Sequence, residues 1–224
     1  MIPRHVRDFY MNRAVIFVNG VVRDYSLILP QLNARDFVMA ADGGLKHIHK
    51  LKLKPALVVG DMDSISASDL DIAEYQQTEI IRFQKDKDET DLELAIRTAM
   101  ERGYREMLVV AGLGGRLDQT LANLLLMLHP DFQKCHIVFD DGVEEVCLLR
   151  DSLTIHGSAG DIVSIIPLEG DCRGVTTKNL KYALNDETLE KNKTRGISNE
   201  MTAVYAEITL SQGVALCIHT RTHP

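Results

Sequence analysis

The sequence predicts an α/β protein: an N-terminal, mostly parallel, Rossmann-like sheet covered by helices, followed by a small antiparallel β-sandwich. Three observations carry this reading. Short apolar runs alternate with helical periodicity from residue 14 to about 140. Beyond that point strand-like runs follow one another with glycine turns and no helices between them. Glycine- or acid-rich turns close several of the early apolar runs, as where parallel strands deliver residues to one edge. The expected domains are therefore 1–140 (α/β) and 141–224 (β-sandwich).

Taken in order, residues 1–12 read as a polar arm, and Ala14 to Val18 as a buried strand ending at Asn19-Gly20. Phe37 to Ala40 is the next strand; it runs through Asp42-Gly43-Gly44 into a short helix that Pro55 closes. Leu57 to Val59 is a strand, Ser66 to Gln77 a helix, and Glu79 to Phe83 a strand. In the helix from Asp91 to Arg102, Leu92, Ala95, Ile96, Ala99 and Met100 recur at helical spacing, and Thr90 with Glu93 forms a capping box. Met107 to Ala111 is a strand, Gly112 to Arg116 a glycine turn, and Leu117 to Leu128 a helix apolar nearly all round, hence expected to be buried. Cys135 to Phe139 closes this part. The later strands are expected at 146–149, 153–155, 162–166, 203–210 and 214–219, with 185–196 a flexible surface loop.

Composition excludes several function classes. The 224 residues carry Lys+Arg 25 against Asp+Glu 32, a net charge of -7, and no dense basic run, so a nucleic-acid partner is not expected. The 4 cysteines are scattered, without a C-x-x-C pair or zinc-like spacing, and read as reduced residues of a cytoplasmic protein. The longest N-terminal apolar run, Ala14 to Val18, is too short for a signal peptide or a membrane span.

The chemistry-bearing stretch is Gly60-Asp61-Met62-Asp63-Ser64, two carboxylates at the end of a predicted buried strand. If the backbone stays extended, its period of two points Asp61 and Asp63 to the same side. Two like charges about 4 Å apart at an effective dielectric of roughly 20 repel by about 4 kcal/mol, which a divalent cation removes. An Asp-rich turn bonding to its own backbone accounts for the same residues. Asp86 to Asp91 packs acids around a helix start, where the exposed N–H groups favour them; Asp88 and Asp91 can also face a metal held by Asp61 and Asp63. Lys85 and Lys87 can meet phosphate or be solvated. Gly112 to Arg116 fails the dinucleotide fingerprint, since Leu117 stands at its third glycine, and suits a phosphate better. His47 and His49, two apart on a helix, do not share a face and are not read as metal ligands.

In combination, Ala41-Asp42-Gly43-Gly44, Gly60 to Ser64, Asp86 to Asp91, Gly114-Gly115-Arg116-Leu117-Asp118 with Leu121-Ala122-Asn123, Leu180-Lys181-Tyr182 and Ser198-Asn199 resemble the thiamine pyrophosphokinase family over nearly the whole chain. The resemblance implies pyrophosphoryl transfer from ATP to the hydroxyethyl oxygen of thiamine, leaving AMP, in a homodimer with active sites between subunits. It implies magnesium on Asp61, Asp63 and Asp91, with Asp88 beside them; of these, Asp61, Asp63 and Asp91 are the expected catalytic residues. Asp42, Gly43, Gly44, Lys87, Thr90, Gly114, Gly115, Arg116 and Asp118 are expected around the nucleotide, and Tyr182, Ser198 and Asn199 around thiamine. The chain departs from the family pattern at Ala56, Gln119, Asn179 and Ala183. Two other readings compete: an aspartyl-phosphate phosphatase using Asp61 and Asp63, although Ile65 stands where its Thr or Val belongs, and a non-catalytic sensor of thiamine or nucleotide.

Overall fold

The computed structural model describes residues 12–86 and 88–222. The expected N-terminal arm lies almost wholly outside the described residues, as does Lys87. The chain divides into two compact units between Gly142 and Val143.

The first unit runs β1 (Ala14–Phe17), α1 (Tyr25–Ile28), β2 (Phe37–Ala41), α2 (Leu45–Lys50), β3 (Leu57–Gly60), α3 (Ala67–Tyr75), β4 (Glu79–Arg82), α4 (Asp91–Glu101), β5 (Glu106–Val110), α5 (Leu117–Leu126) and β6 (His136–Asp140). Its strands lie in the order β6-β5-β1-β2-β3-β4, and every neighbouring pair is parallel. All four residues of β1 have no solvent exposure, as expected for a central strand covered on both faces. Chain direction through the sheet reverses between β1 and β5, so the crevice beyond the carboxyl ends of these two strands is the switch point where such sheets bind ligands. The predicted α/β alternation is the observed one.

Two local expectations fail. Thr90 Oγ1 accepts from Glu93 N at 3.2 Å, but the Glu93 carboxylate turns to Arg97 one turn on, at 2.9 Å, so only half of a capping box forms. In α5 none of the residues is buried: Leu117, Leu121 and Leu125, at i, i+4 and i+8, are 71%, 51% and 55% exposed. An apolar sequence all round a helix fixes which residues want burial, not whether this chain supplies the cover.

The second unit contains β7 (Glu144–Leu149), β8 (Ser152–His156), β9 (Ile162–Pro167), β10 (Cys172–Lys178), β11 (Glu187–Leu189), β12 (Asn199–Glu200), β13 (Tyr205–Thr209) and β14 (Ala215–Thr220). They form two four-stranded arrays, β12-β9-β14-β7 and β11-β10-β13-β8, with every pair antiparallel. Alternation of buried and half-buried residues along β9 marks one face turned inward. The stretch 185–196 is not all loop, because β11 pairs with β10 and buries Leu189 opposite Cys172. The register shifts between Cys172 and Val175, around Gly174 at φ 64°, and this bulge hides the alternation that identifies a strand. Cys147, Cys172 and Cys217 are buried and Cys135 half-buried, all four as free thiols. Among the described residues no helix is long and apolar enough to cross a membrane.

A buried ion pair clamps the start of the parallel sheet. Arg13, next to β1, meets Asp36, next to β2, at 2.9 and 3.0 Å, with both side chains almost fully enclosed. Removing one partner strands the other charge in a low dielectric. Asp36→Ala is therefore expected to lower the unfolding free energy by about 3–5 kcal/mol in urea titrations. Glu207→Ala, which breaks the exposed pair with Lys178, is expected to leave the urea midpoint almost unchanged.

Candidate active site

Four turns at the carboxyl ends of adjacent strands in the first unit build the site: Asn19-Gly20 after β1, Asp42–Gly44 after β2, Gly60 to Ser64 after β3, and Ala111 to Arg116 after β5. They press against one another with no room for side chains at the contacts. A Cβ on Gly43 would stand 2.6 Å from Asn19 Cγ, and one on Gly20 would stand 2.1 Å from the Ala111 carbonyl oxygen. Three non-glycine residues in these turns, Asp42, Met62 and Ala111, have φ of 46°, 70° and 64°. Left-handed backbone costs an L-residue of order 1 kcal/mol or more, and such positions cluster at functional sites.

Asp42, Asp61 and Asp63 converge so that one carboxylate oxygen from each lies within 4.8 Å of the others. The convergence does not arise from an extended segment: the left-handed turn at Met62 brings Asp61 Oδ1 to accept from Asp63 N at 3.0 Å. Asp42 is 4% exposed, and its buried Oδ1 has no hydrogen-bond partner. Burial pushes its carboxyl above the ordinary range, Ser64 pulls it back, and the charges of Asp91 and Asp61 push it up again. Asp63 is exposed and held below the usual carboxylate range, chiefly by Lys85, whose Nζ donates to Oδ2 at 2.6 Å. A buried, unpartnered carboxylate oxygen beside two further hard oxygen donors fits magnesium or a similar divalent cation. Asp88 and Asp91 are not in this group; Asp91, the first residue of α4, acts on Asp42 through its charge, and Asp88 is exposed in the loop before it.

On the β5 side, Gly114 and Gly115 take φ of 75° and 77° and carry the chain into α5 with Arg116 at its N-cap. A Cβ at either glycine would meet nothing within 4 Å, so the strand-to-helix turn itself, and not packing, asks for glycine. Arg116 is fully exposed at the helix entrance and paired with Asp118, Nη2 to Oδ2 2.5 Å. That pairing raises the guanidinium and lowers the carboxyl. Asn123 Nδ2, nearly two turns into α5, donates to the Gly112 carbonyl at 2.9 Å and fixes the turn from behind.

The second unit has a separate cavity of about 270 Å³, lined by Ile165, Tyr182, Leu184, Arg195, Ile197 and Asn199 among others. Asn199 Oδ1 accepts from Tyr182 N at 2.9 Å while its Nδ2 donates to Tyr182 O at 2.8 Å, and the Tyr182 ring stays 65% exposed. Ser198, at φ 58°, has its N–H bonded to Ser164 Oγ at 3.0 Å.

Residues 30–139 match the model of the thiamin pyrophosphokinase catalytic domain, and residues 152–215 that of the thiamin pyrophosphokinase vitamin B1 binding domain. The chain belongs to the thiamin pyrophosphokinase family. Thiamine pyrophosphokinase 2 of Arabidopsis thaliana is 29% identical over 178 residues, 66% of this chain and 64% of that protein's length. Thiamine pyrophosphokinase of Bacillus subtilis is 26% identical over 168 residues, covering 74% of this chain and 78% of that protein. The crystal structure of thiamine pyrophosphokinase from Bacillus subtilis superimposes with a TM-score of 0.85 at 21% identity over 95% of this chain and all of that one. Thiamin pyrophosphokinase from Candida albicans gives 0.74 at 18% identity over 93% of this chain and 89% of that one. At these identities the superpositions show a common fold.

Within this family member, Asp42, Gly43, Gly44, Asp61, Asp63, Gly114, Gly115 and Arg116 fall in the four turns, whereas Asp88 lies in the loop before α4, Asp91 opens α4 and Asp118 lies in α5; Tyr182 and Asn199 line the cavity of the second unit, and Ser198 precedes Asn199 in the chain. Lys87 lies outside the described residues, and Thr90 is engaged as the N-cap of α4. The Asn19-Gly20 turn was missing from the expected site although it stands at the switch point. Its signal is a small turn after the first apolar strand, which alone resembles any strand end.

That turn is supported by a buried histidine. His47 Nε2 lies 3.2 Å from the Gly20 carbonyl and Nδ1 lies 2.6 Å from the Tyr25 hydroxyl. A carbonyl only accepts, so Nε2 carries the proton and Nδ1 accepts from Tyr25. Burial, with Lys46 and Lys50 adding to it, lowers the His47 pKa to about 4, so the ring is neutral and the network intact at neutral pH. An unfolded chain protonates this histidine near pH 6.5 while the folded chain does not until about pH 4, so its contribution is full above about 6.5 and is lost as pH falls toward 4. In His47→Gln the unfolding free energy is expected to fall less steeply with acidification between pH 6.5 and 4 than in the unsubstituted chain, as read by urea midpoints across that range.

Proposed function

We propose that the chain transfers the pyrophosphoryl group of ATP to the hydroxyethyl oxygen of thiamine, giving thiamine pyrophosphate and AMP. The observation that carries this reading is the Asp42, Asp61, Asp63 group, with an unpartnered buried oxygen, at the carboxyl ends of β2 and β3 on the same sheet edge as the β1–β5 switch point. Magnesium bound there supplies charge neutralisation for the triphosphate. Asp42, Asp61 and Asp63 would hold it, and the charge of Asp91, which acts on Asp42, would reinforce its binding; Asp88 lies exposed in the loop before α4. Asp42 replaces Asp91 as the third ligand in this reading, because its orphan oxygen has lost water and gained no hydrogen bond.

The remaining residues position and neutralise. The open Gly114-Gly115 turn exposes N–H groups at the start of α5, and Arg116 brings a fork of donors suited to phosphate oxygens. Asp42-Gly43-Gly44 and Asn19-Gly20 let a ligand approach backbone directly. In the second unit the exposed Tyr182 ring offers a face for the flat, cationic heterocycles of thiamine, and Ser198 and Asn199 border it. Attack at the β-phosphorus asks little covalent chemistry of the protein, so alignment and charge dominate the rate.

Incubation with ATP, magnesium and thiamine is expected to yield AMP and thiamine pyrophosphate in equal amounts; release of ADP or phosphate alone overturns the reading in favour of a hydrolase. Asp63→Asn and Asp42→Asn are each expected to lower turnover by a factor of about 10² or more, with the circular-dichroism melting profile of Asp63→Asn unchanged. A homodimer with active sites between subunits is also proposed, supported by the exposed Leu117, Leu121 and Leu125 stripe of α5. Sedimentation should give twice the chain mass of 25.0 kDa, and Leu121→Asp should shift it toward a single chain. A mass near 25.0 kDa for the unsubstituted protein removes the dimer.

A further inference from the structure

Among the three clustered acids, only Asp63 has both of its oxygens occupied by side chains of this chain. Oδ2 accepts from Lys85 Nζ at 2.6 Å and Oδ1 from Ser64 Oγ at 3.1 Å. Lys85 comes from the loop between β4 and α4, and its side chain is 75% exposed while that of Asp63 is 47% exposed. Asp42, in contrast, keeps a buried oxygen without a partner. One ammonium against three carboxylates leaves about two negative charges, the complement of one divalent cation.

We propose that Lys85 is the resident counter-ion of the site: it holds Asp63 until a divalent cation takes that carboxylate, and then moves to a phosphate oxygen of the nucleotide. The inference rests on the metal reading of the Asp42, Asp61, Asp63 group. Three physical features support the exchange. The pair is exposed, so breaking it costs little. The ammonium is a compact charge on a flexible four-carbon stem, which turns from a carboxylate to a neighbouring anion by rotation about its own bonds. The triphosphate brings several negative charges toward an acidic cluster, and a cation released at that point offsets the repulsion that remains after the metal has bound. Lys85 is thereby a competitor of the free metal and an ally of the metal–nucleotide complex, two opposite effects from one side chain.

The opposition of sign is the test. Binding of Mn²⁺ alone and of Mn²⁺ with α,β-methylene-ATP, each followed by calorimetry and by the paramagnetic signal of free Mn²⁺, is compared in the unsubstituted chain, Lys85→Met and Lys85→Arg. Lys85→Met is expected to bind Mn²⁺ alone about two- to fivefold more tightly, because the competitor is gone. It is expected to bind the Mn²⁺–nucleotide complex about tenfold more weakly, because a charged hydrogen bond to phosphate is lost. Lys85→Arg should stay near the unsubstituted values in both. If Mn²⁺ binds equally to the unsubstituted chain and Lys85→Met, or if both affinities move in the same direction, the exchange is overturned while the metal site stands. If Mn²⁺ fails to bind the unsubstituted chain, the metal reading falls and the exchange with it.

Discussion

Close approach of backbone to backbone at the carboxyl edge of the parallel sheet is the constraint on which the site depends. Strands in a sheet are spaced by their hydrogen bonds at about 4.8 Å, and turns that leave four neighbouring strands must share that narrow width. Here they do so by omitting a side chain on one side of each contact: Gly20 against the Ala111 carbonyl, Gly44 against the Phe17 carbonyl, and Gly43 against the Asn19 side chain. Left-handed residues at Asp42, Met62 and Ala111 show that this packing is held against local backbone preference, and the buried His47, bonded to the Gly20 carbonyl, supplies part of what holds it.

Electrostatics follow from that packing. Bringing the turns after β2 and β3 together forces Asp42, Asp61 and Asp63 into one small volume, with Asp42 largely cut off from water. Proton uptake, a resident cation or a bound metal can each relieve such a cluster. Asp42 is pushed toward the first, Asp63 already uses the second through Lys85, and the unpartnered Asp42 oxygen leaves scope for the third. The same economy recurs at α5, where Arg116 rests on Asp118. In both places an exposed cation is held by a carboxylate of its own turn or neighbouring loop.

Much of this was legible in the sequence, for physical reasons that differ by region. Alternating apolar runs and helical periodicity identified the parallel sheet because its strands are short and, apart from the edge strand β4 with Glu79 and Arg82 at its ends, mostly apolar. The Asp61–Asp63 pair was found from its position after a strand, yet the assumed extended geometry was wrong, since Met62 turns left-handed. Asp42 was read as a nucleotide contact because nothing in a sequence says that β2 and β3 are neighbours whose ends nearly touch. The strand β10 was missed because Gly174 and a bulge break its alternation, and the exposure of α5 was missed because apolarity records a preference for burial without naming the partner.

The acceptor region was the least legible part, and its structure explains why. Asn199 commits most of its side-chain amide locally: Oδ1 accepts from the backbone of both Tyr182 and Glu200, at 2.9 and 3.0 Å, and one Nδ2 hydrogen is donated to the Tyr182 carbonyl. With the two acceptor positions of Oδ1 in use, this residue is better suited to holding Tyr182 at the rim of its cavity than to reading a ligand itself. The face offered outward is then the Tyr182 ring, a surface that attracts a flat cation without a directional hydrogen bond. Lys181, with its ammonium 5.9 Å from that ring, would oppose a cationic guest were it not drawn to Glu200 at 2.9 Å. Recognition of this kind depends on which groups are held away from the ligand as much as on which face it, and no short motif encodes that.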